Sequence, residues 1–159
     1  MLKPWYLTGL VDGEGSFCIT ISKHKTNKLG FDPRLSFEIE MIIEDKPLLE
    51  KVKETLKCGN VYTLFYERYG WRPHAKFSTK SQKEIFSKII PFFKKYPMYG
   101  KKQKDFEFFC EAAEIFKSKN HLSIEGINKL REIQSKMNLR KKVKLSSARV
   151  RENRVPSGN

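Results

Sequence analysis

Two consecutive runs of alternating apolar and polar residues constrain the fold of this chain most strongly. In SFCITISK, Phe17, Ile19 and Ile21 fall on one face of a predicted strand, and RLSFEIEMI alternates in the same way from Leu35 to Met41. The intervening KTNKLGFDPR is rich in turn residues, so the two runs predict a long β-hairpin. A hairpin with one apolar face has to bury it, and we expect helices to cover that face.

Helical periodicity flanks this hairpin and a second one. NVYTLFYERYGWRPHAKFSTK predicts a hairpin that turns near Gly70, and the helix before it is expected to begin near Asp45 and to end before Gly59. The order α-ββ-α-ββ-α, followed by two more helices, predicts an α+β fold with a four-stranded antiparallel sheet. We expect one domain over residues 1–140 and a basic tail over 141–159. The predicted helices are PWYLTGLV, EDKPLLEKVKETLKCG, SQKEIFSKIIPFFKKY, DFEFFCEAAEIFKSK and SIEGINKLREIQSKMN.

The formal net charge of +14 in 159 residues indicates a polyanionic partner, and nucleic acid is the first candidate. A membrane surface is the rival, but no apolar stretch is long enough to span a bilayer and no signal peptide is recognisable. We therefore expect a soluble, intracellular protein. The three cysteines and three histidines show neither a disulfide framework nor a zinc-ligand spacing.

The open face of the predicted sheet is the first place to look for function. Its side chains mix hydrogen-bond donors, acceptors and cations, which suits base edges and phosphates in a DNA groove, whereas a solvated sheet face is the alternative. The net charge favours binding. The predicted DNA-binding residues of this face are Cys18, Thr20, Ser22, His24, Glu38, Glu40, Asn60, Tyr62, Tyr66, Arg68, Arg72, His74, Lys76 and Ser78.

Acidic residues end the first predicted helix, in the stretch LTGLVDGEG. Carboxylates at a helix C-terminus lie in the negative end of the helix dipole, which costs about 0.3 to 1 kcal/mol each unless something compensates. One interpretation is a turn in which Asp12 accepts hydrogen bonds from glycine amides, although this explains Glu14 poorly. The other is a divalent cation such as Mg²⁺, held by a carboxylate and a glycine carbonyl.

Gly9 and Gly13 are four residues apart and lie on one face of the same helix, where another backbone can approach closely. One such helix in the chain suggests that its partner is a second copy. Two-fold symmetry along the helix pair then brings two Glu14 side chains together, and like charges that close require a metal ion.

LTGLVDGEG resembles the signature of the LAGLIDADG homing endonucleases, with Thr8 in place of Ala and Glu14 in place of the final Asp. The predicted order of elements matches the family core, and EDKPLLEKV, KKYPMYGKKQKDFEFF and HLSIEGINKL are also similar to family sequences. A single motif in a chain of this length resembles the homodimeric branch, which cuts long, nearly palindromic duplex DNA sites across the minor groove.

The resemblance implies roles for residues at matching positions. Glu14 and the Gly13 carbonyl correspond to metal ligands, with Mg²⁺ as the cofactor and Mn²⁺ or Ca²⁺ able to replace it in binding, while Asp12 is more structural. Lys101 corresponds to a lysine that orients water or stabilises phosphate charge, and a phosphate-contacting loop is the alternative. Lys102 and Lys104 are close alternatives to Lys101. The expected dimer interface is Tyr6, Gly9, Leu10 and Gly13, and further expected DNA contacts are Lys102, Arg140, Lys141 and Lys142.

Other functions stay open from the sequence alone. Met41 stands where some members have a glutamine, and a thioether cannot bind metal or polarise water as an amide does. A non-catalytic DNA-binding protein or an intron-splicing RNA maturase would share the fold. An RNA-binding module with exposed aromatic side chains is a further rival, and it predicts stacked bases and no dependence on divalent metal.

Overall fold

Helix α1 (Pro4–Glu14) leads directly into the first strand of the sheet. Pro4 opens the helix because its fixed φ and missing N–H suit the first turn. The backbone N–H of Gly15 bonds to the Val11 carbonyl, and the chain becomes extended from Gly15 onward. The structure, a computed structural model, describes residues 1–66 and 70–137. Its other elements are β1 (Gly15–Lys23), β2 (Phe31–Ile42), α2 (Lys46–Leu56), β3 (Asn60–Leu64), β4 (His74–Thr79), α3 (82–95), α4 (Lys102–Lys117) and α5 (124–137).

The four strands form one antiparallel sheet in the order β1-β2-β4-β3. The alternation predicted for β1 is present, since Phe17 and Ile19 are buried while Thr20 and Ser22 are exposed. The same holds for β2, where Leu35, Phe37 and Ile39 are buried. Helices lie on that apolar face, so the predicted α+β fold is confirmed.

Strand β2 starts earlier than the sequence predicts, because FDPR belongs to the strand and not to the turn. Proline lacks a backbone N–H and is normally excluded from a strand that pairs on both sides. At Pro33, however, β2 pairs only with β1, since its register with β4 begins at Phe37. One edge of the strand is unpaired there, and proline is tolerated.

Helix α3 has a π-helical turn that the periodicity does not reveal. It begins with Gln82–Glu84, passes through the π turn Ile85–Ile89 and ends with Ile90–Lys95. Ser81 caps it, accepting a hydrogen bond from the Glu84 amide at 3.3 Å. Pro91 has no N–H for an ordinary helical hydrogen bond, and the wider turn immediately before it accommodates the proline within the helix.

A cluster of phenylalanines fills the space between the sheet and the helices. The ring centroid of Phe37 lies 5.0 Å from that of Phe17, 5.5 Å from Phe93 and 6.0 Å from Phe77. Phe17 also packs against Phe106 and Phe109 of α4. The core therefore ties α3 and α4 to the sheet, and these two helices flank the loop that carries Lys101.

Some of the predictions lie outside the described residues. These are the hairpin tip with Arg68 and the whole segment from 138 onward, including Arg140, Lys141, Lys142 and the predicted tail. Over residues 1–66 and 70–137, no helix has the length and apolar character needed to cross a membrane.

Candidate nucleic-acid interface and carboxylate site

Glu14 is the last residue of α1, and its side chain is exposed. It makes no side-chain hydrogen bond or ion pair with any residue that the structure describes. Gly13 precedes it in the final turn, where backbone carbonyls have no partner within the helix. A carboxylate and a carbonyl, both hard oxygen donors, are thus available at the same helix end.

Asp12 is held differently. Its Oδ2 accepts hydrogen bonds from the backbone N–H groups of Gly100 at 2.7 Å and Tyr99 at 3.2 Å. Asp12 does accept hydrogen bonds from backbone amides, as expected. The expected partners were wrong, because the amides are not those of the neighbouring glycines. They lie in the loop between α3 and α4, brought close by tertiary packing.

Lys101 lies next to these two amides and immediately precedes the first residue of α4, Lys102. The Asp12 hydrogen bonds therefore place the backbone of Lys101 beside the end of α1. Lys104 is one turn further along α4, where its Nζ donates to Glu107 at 2.9 Å and lies over the Phe108 ring.

One row of polar side chains crosses the sheet close to Glu14. The strand register aligns Ser16 with Glu38, Glu38 with Ser78, and Ser78 with Asn60. Opposed residues of antiparallel strands lie on the same face. The Ser78 hydroxyl donates to Glu38 at 3.2 Å, so part of this row is already connected.

A second row is an ion-pair network centred on Lys76. Its Nζ lies 3.3 Å from Glu38 and 3.2 Å from Glu40. Glu40 also accepts a hydrogen bond from the Tyr66 hydroxyl at 2.8 Å and contacts His74 Nδ1 at 3.0 Å. We refer to Glu38, Glu40, Tyr66, His74 and Lys76 as the sheet network.

The network shifts the protonation of its members. Burial alone raises the pKa of Glu40, but hydrogen bonds from Tyr66, Lys76 and His74 outweigh it and hold that pKa below its usual value. For Lys76, burial lowers the pKa, whereas the hydrogen bond to Glu40 and attraction to Glu38 raise it above its usual value. Both groups are thus stabilised in their charged forms.

The other predicted face residues are placed as follows. Cys18 is half-buried in β1, with its Sγ 3.5 Å from the Ser16 hydroxyl. Tyr62 is exposed, and His24 is exposed just beyond β1. Arg72 follows the hairpin tip outside any strand, where it forms an ion pair with Glu44.

Sequence reasoning missed Ser16 and Arg34, which share the face with the predicted set. Ser16 is opposed to Glu38, and Arg34, exposed and paired with Asp32, is opposed to Thr20. Continuing the alternation toward the N-terminus of each strand, by two residues from Cys18 and by four from Glu38, would have found both. No local pattern could have found the contact between Asp12 and residue 100, because it depends on tertiary packing.

The exposed face of α1 carries the predicted dimer residues. Tyr6 is 54% exposed, and a Cβ added to Gly9 or Gly13 would meet no atom within 4 Å. Nothing in the described part of the chain therefore requires glycine at either position. Leu10 is partly buried against the core, so it contributes less to this face than expected.

The residues present fit half of a divalent-metal site. Within residues 1–66 and 70–137, no three acidic, histidine or cysteine side chains converge in a way that could hold a metal ion. The hard oxygens of Glu14 and Gly13 suit Mg²⁺, which commonly takes one or two carboxylates and completes its coordination with water and phosphate oxygens.

Comparison with known proteins agrees with this geometry. The sequence model of the family described as LAGLIDADG endonuclease matches residues 7–113. "Probable intron-encoded endonuclease 3" of Neurospora crassa is 33% identical over 138 residues, which are 87% of this chain and 25% of that protein.

Solved structures of DNA-bound proteins share the fold. I-SmaMI bound to cleaved DNA has a TM-score of 0.79 at 33% identity, over 85% of this chain and 43% of that chain. I-SmaMI bound to an uncleaved DNA target in the presence of calcium ions has a TM-score of 0.78 at 34% identity, over 86% and 45%. I-LtrWI bound to target DNA has a TM-score of 0.79 at 37% identity, over 85% and 44%.

This chain covers only part of these longer proteins, namely 25% of the Neurospora protein and less than half of each solved chain. The match to the family model nevertheless covers more than half of this chain and includes most of α1, all four strands and the Lys101 loop. The chain belongs to the LAGLIDADG endonuclease family.

Proposed function

We propose that this chain is one unit of a site-specific endonuclease that hydrolyses both strands of duplex DNA with a divalent metal ion. The observation that carries the proposal is Glu14, an exposed acid without a side-chain partner among the described residues, next to the first row of the sheet face. A carboxylate that faces phosphates is repelled unless a cation lies between them. Family membership and the DNA bound to the solved relatives support the proposal.

Glu14 and the Gly13 carbonyl are the proposed ligands of Mg²⁺. When bound, the ion activates water for attack on phosphorus and stabilises the departing oxygen. No covalent nucleophile is needed. Mn²⁺ supports the same coordination, and Ca²⁺ supports binding.

Lys101 is the proposed cationic partner of the phosphate. Its backbone follows the two amides that Asp12 binds, so Glu14 and the backbone of Lys101 lie at the same end of α1. A positive charge there stabilises the charge that develops on the phosphate oxygens and orients water. Met41 cannot take part in that water network, because a thioether is only a weak acceptor.

A second unit is proposed to pack on the exposed face of α1. Because Gly9 and Gly13 have no side chains, a second helix can approach the α1 backbone closely there, and the exposed Tyr6 can be buried in the contact. With a second copy as the partner, two-fold symmetry brings two Glu14 residues together and makes the target a long pseudo-palindrome. Each unit then supplies its Glu14 and Lys101 to one centre of cleavage.

The sheet face is the proposed site of sequence recognition. Arg34, Asn60 and Lys76 offer donors to base edges or phosphates, while Glu38 and Glu40 suit the amino group of cytosine. The sheet network already engages both glutamates. We therefore infer that base recognition by these acids proceeds by exchange of partners.

Selection from a library of duplex sites tests the proposal. The full chain is incubated with the library in Mg²⁺ or in chelator, and cut ends are sequenced. We expect double-strand cuts at one site class in Mg²⁺ and none in chelator. Glu14→Gln should bind the selected duplex and cleave it about 10²-fold or more slowly, because neutralising a metal ligand removes several kcal/mol of transition-state stabilisation.

Glu50→Gln is the matched control, because Glu50 is an exposed acid of α2, which belongs neither to the sheet nor to the helix that carries Glu14. It should cleave like the parent chain. Specific binding without any cut in Mg²⁺ or Mn²⁺ would contradict the nuclease and leave a DNA-binding protein. Preferential retention of structured intron RNA in chelator would indicate a maturase.

A further inference from the structure

Three groups of contacts tie the loop of residues 96–101, here called the lysine loop, to α1. Trp5 packs edge-on against Tyr96 at 5.3 Å between ring centroids and stacks on Tyr99 at 6.2 Å. Thr8, 3% exposed, donates its hydroxyl to the Tyr96 carbonyl at 3.0 Å. Asp12 binds the loop nearest to Lys101, through the amides of residues 99 and 100.

The close approach of Asp12 explains the glycine at position 100. The φ of Gly100 is not positive, so the backbone conformation itself does not require glycine. A Cβ built there would lie 2.5 Å from Asp12 Oδ1 and 3.0 Å from its Cγ. The glycine therefore makes room for the carboxylate, and the two residues form one contact.

Charge adds to the geometry of this contact. Backbone N–H groups that donate to a carboxylate make stronger hydrogen bonds than those that donate to a neutral acceptor. Both bonds go to the same oxygen of Asp12, so they fix two consecutive amides relative to α1. Because Lys101 follows them directly, its Cα cannot move far without breaking one of these bonds.

We propose that Asp12 is a positioning residue for Lys101, acting through the backbone of the lysine loop. The inference rests on the proposed function, in which Lys101 contacts the phosphate at the Glu14 end of α1. A catalytic group displaced by about 1 Å can lose about 10²-fold in rate. Asp12 thereby joins the helix that carries the metal ligand to the loop that carries the cation.

A double-mutant cycle tests the inference on the duplex selected above. Single-turnover cleavage in Mg²⁺ is measured for the parent chain, Asp12→Ala, Lys101→Ala and the double variant, and duplex affinity is measured in Ca²⁺. We expect Asp12→Ala to cleave about 10- to 100-fold more slowly, with affinity changed less than threefold. The double variant should be no slower than Lys101→Ala, since a misplaced lysine and an absent one are equivalent.

Two further variants keep the test decisive if Asp12→Ala is poorly folded. Asp12→Asn retains an oxygen acceptor and should recover most of the rate. Gly100→Ala should slow cleavage in the parent chain, but not in the Asp12→Ala background, where the carboxylate it would meet is absent. Thermal unfolding of each variant, with Glu50→Ala as the surface control, separates loss of fold from loss of positioning.

The outcomes distinguish this inference from the proposed function. If Asp12→Ala slows Lys101→Ala by the same factor as it slows the parent chain, the two residues act independently and the positioning role is overturned. Cleavage that does not depend on Lys101 would instead overturn the proposed role of the lysine. Absence of metal-dependent cleavage by the parent chain would overturn the nuclease itself.

Discussion

Asp12 and Glu14 are two positions apart, and this spacing separates their environments. Successive residues of an α-helix are about 100° apart, so these side chains point in nearly opposite directions around α1. Asp12 faces the lysine loop and binds two amides, whereas Glu14, in the same last turn of α1, remains exposed. Asp12 is therefore engaged in holding the lysine loop, whereas the carboxylate of Glu14 is available to bind a cation.

The phenylalanine at the centre of the core gives a prediction at the residue scale. Phe37 is fully buried and contacts the aromatic rings of Phe17, Phe77 and Phe93. Phe37→Ala should lower the free energy of unfolding by about 3 to 5 kcal/mol, because a ring-sized cavity forms. Urea denaturation monitored by circular dichroism measures the change.

Phe65→Ala is the matched control, since Phe65 is 70% exposed. Its effect should be within about 0.5 kcal/mol. Equal destabilisation by the two substitutions would mean that the core is not centred on Phe37.

Sequence reasoning at this scale succeeded for Glu14, whose place at a helix end could be predicted from the glycines around it. It failed for the partners of Asp12, because a carboxylate can bind any nearby amide and the chain offers many. The residues that supply them are 87 and 88 positions away, and no local propensity encodes that approach.

Elements were predicted best where burial imposes a strict period. Every buried residue of β1 and β2 named from the alternation lies toward the helices, because a one-residue slip would expose the entire apolar set. The start of β2 was misplaced, because Pro33 and the residues before it are typical of turns. Pro33 can nevertheless lie in the strand, since β2 is unpaired on one edge at that position. Pro91 was likewise accommodated by a π turn that helical periodicity alone does not predict.

The sheet network predicts a pH dependence at the scale of the sheet. The pKa of Glu40 is lower in the folded state, so between the folded and unfolded pKa values the unfolded chain binds more protons. The stabilisation is present above the unfolded pKa and is lost as pH falls through the folded pKa. Glu40→Gln should therefore lower the stability near neutral pH and flatten its decline in acid.

Denaturation midpoints from about pH 7 to about pH 3 measure this effect as the difference between the parent chain and Glu40→Gln. Glu50→Gln is the control, because it removes an exposed acid and should leave the pH profile unchanged. A profile for Glu40→Gln that runs parallel to that of the parent chain would show that the network does not hold the acid in its charged form. The pKa of Lys76 is raised in the folded state, so the stabilisation that Lys76 contributes is lost only as pH rises through its folded pKa.

At the scale of the whole molecule, the unoccupied space over Gly9 and Gly13 matters most. Under the proposed function, in which a second copy packs on this face, Gly9→Arg should prevent self-association without lowering the thermal stability of the single unit, since a Cβ at position 9 meets no atom within 4 Å among the described residues. Sedimentation at several concentrations measures the association, and metal-dependent cleavage should be lost with it. Ser135→Arg, on the exposed face of α5, is the control for added charge.

Self-association that survives Gly9→Arg would place the dimer contact elsewhere. The prediction of a helix partner came from the spacing of Gly9 and Gly13, and the structure adds that no contact within residues 1–66 and 70–137 requires glycine at either position. The oligomeric state could not be predicted from one chain, because a single chain shows which surface is left uncovered but not what covers it.

The internal pairing of Lys76 has a consequence for how DNA affinity depends on salt. A lysine that neutralises a phosphate releases a counterion, so each such contact steepens the fall of affinity with ionic strength. Lys76 already has two glutamates as its counterions, so exchanging them for a phosphate releases less bound salt from the protein–DNA pair. Under the proposed function, a contact made by Lys76 therefore adds less to the salt dependence of DNA affinity than a contact made by a lysine without internal counterions would.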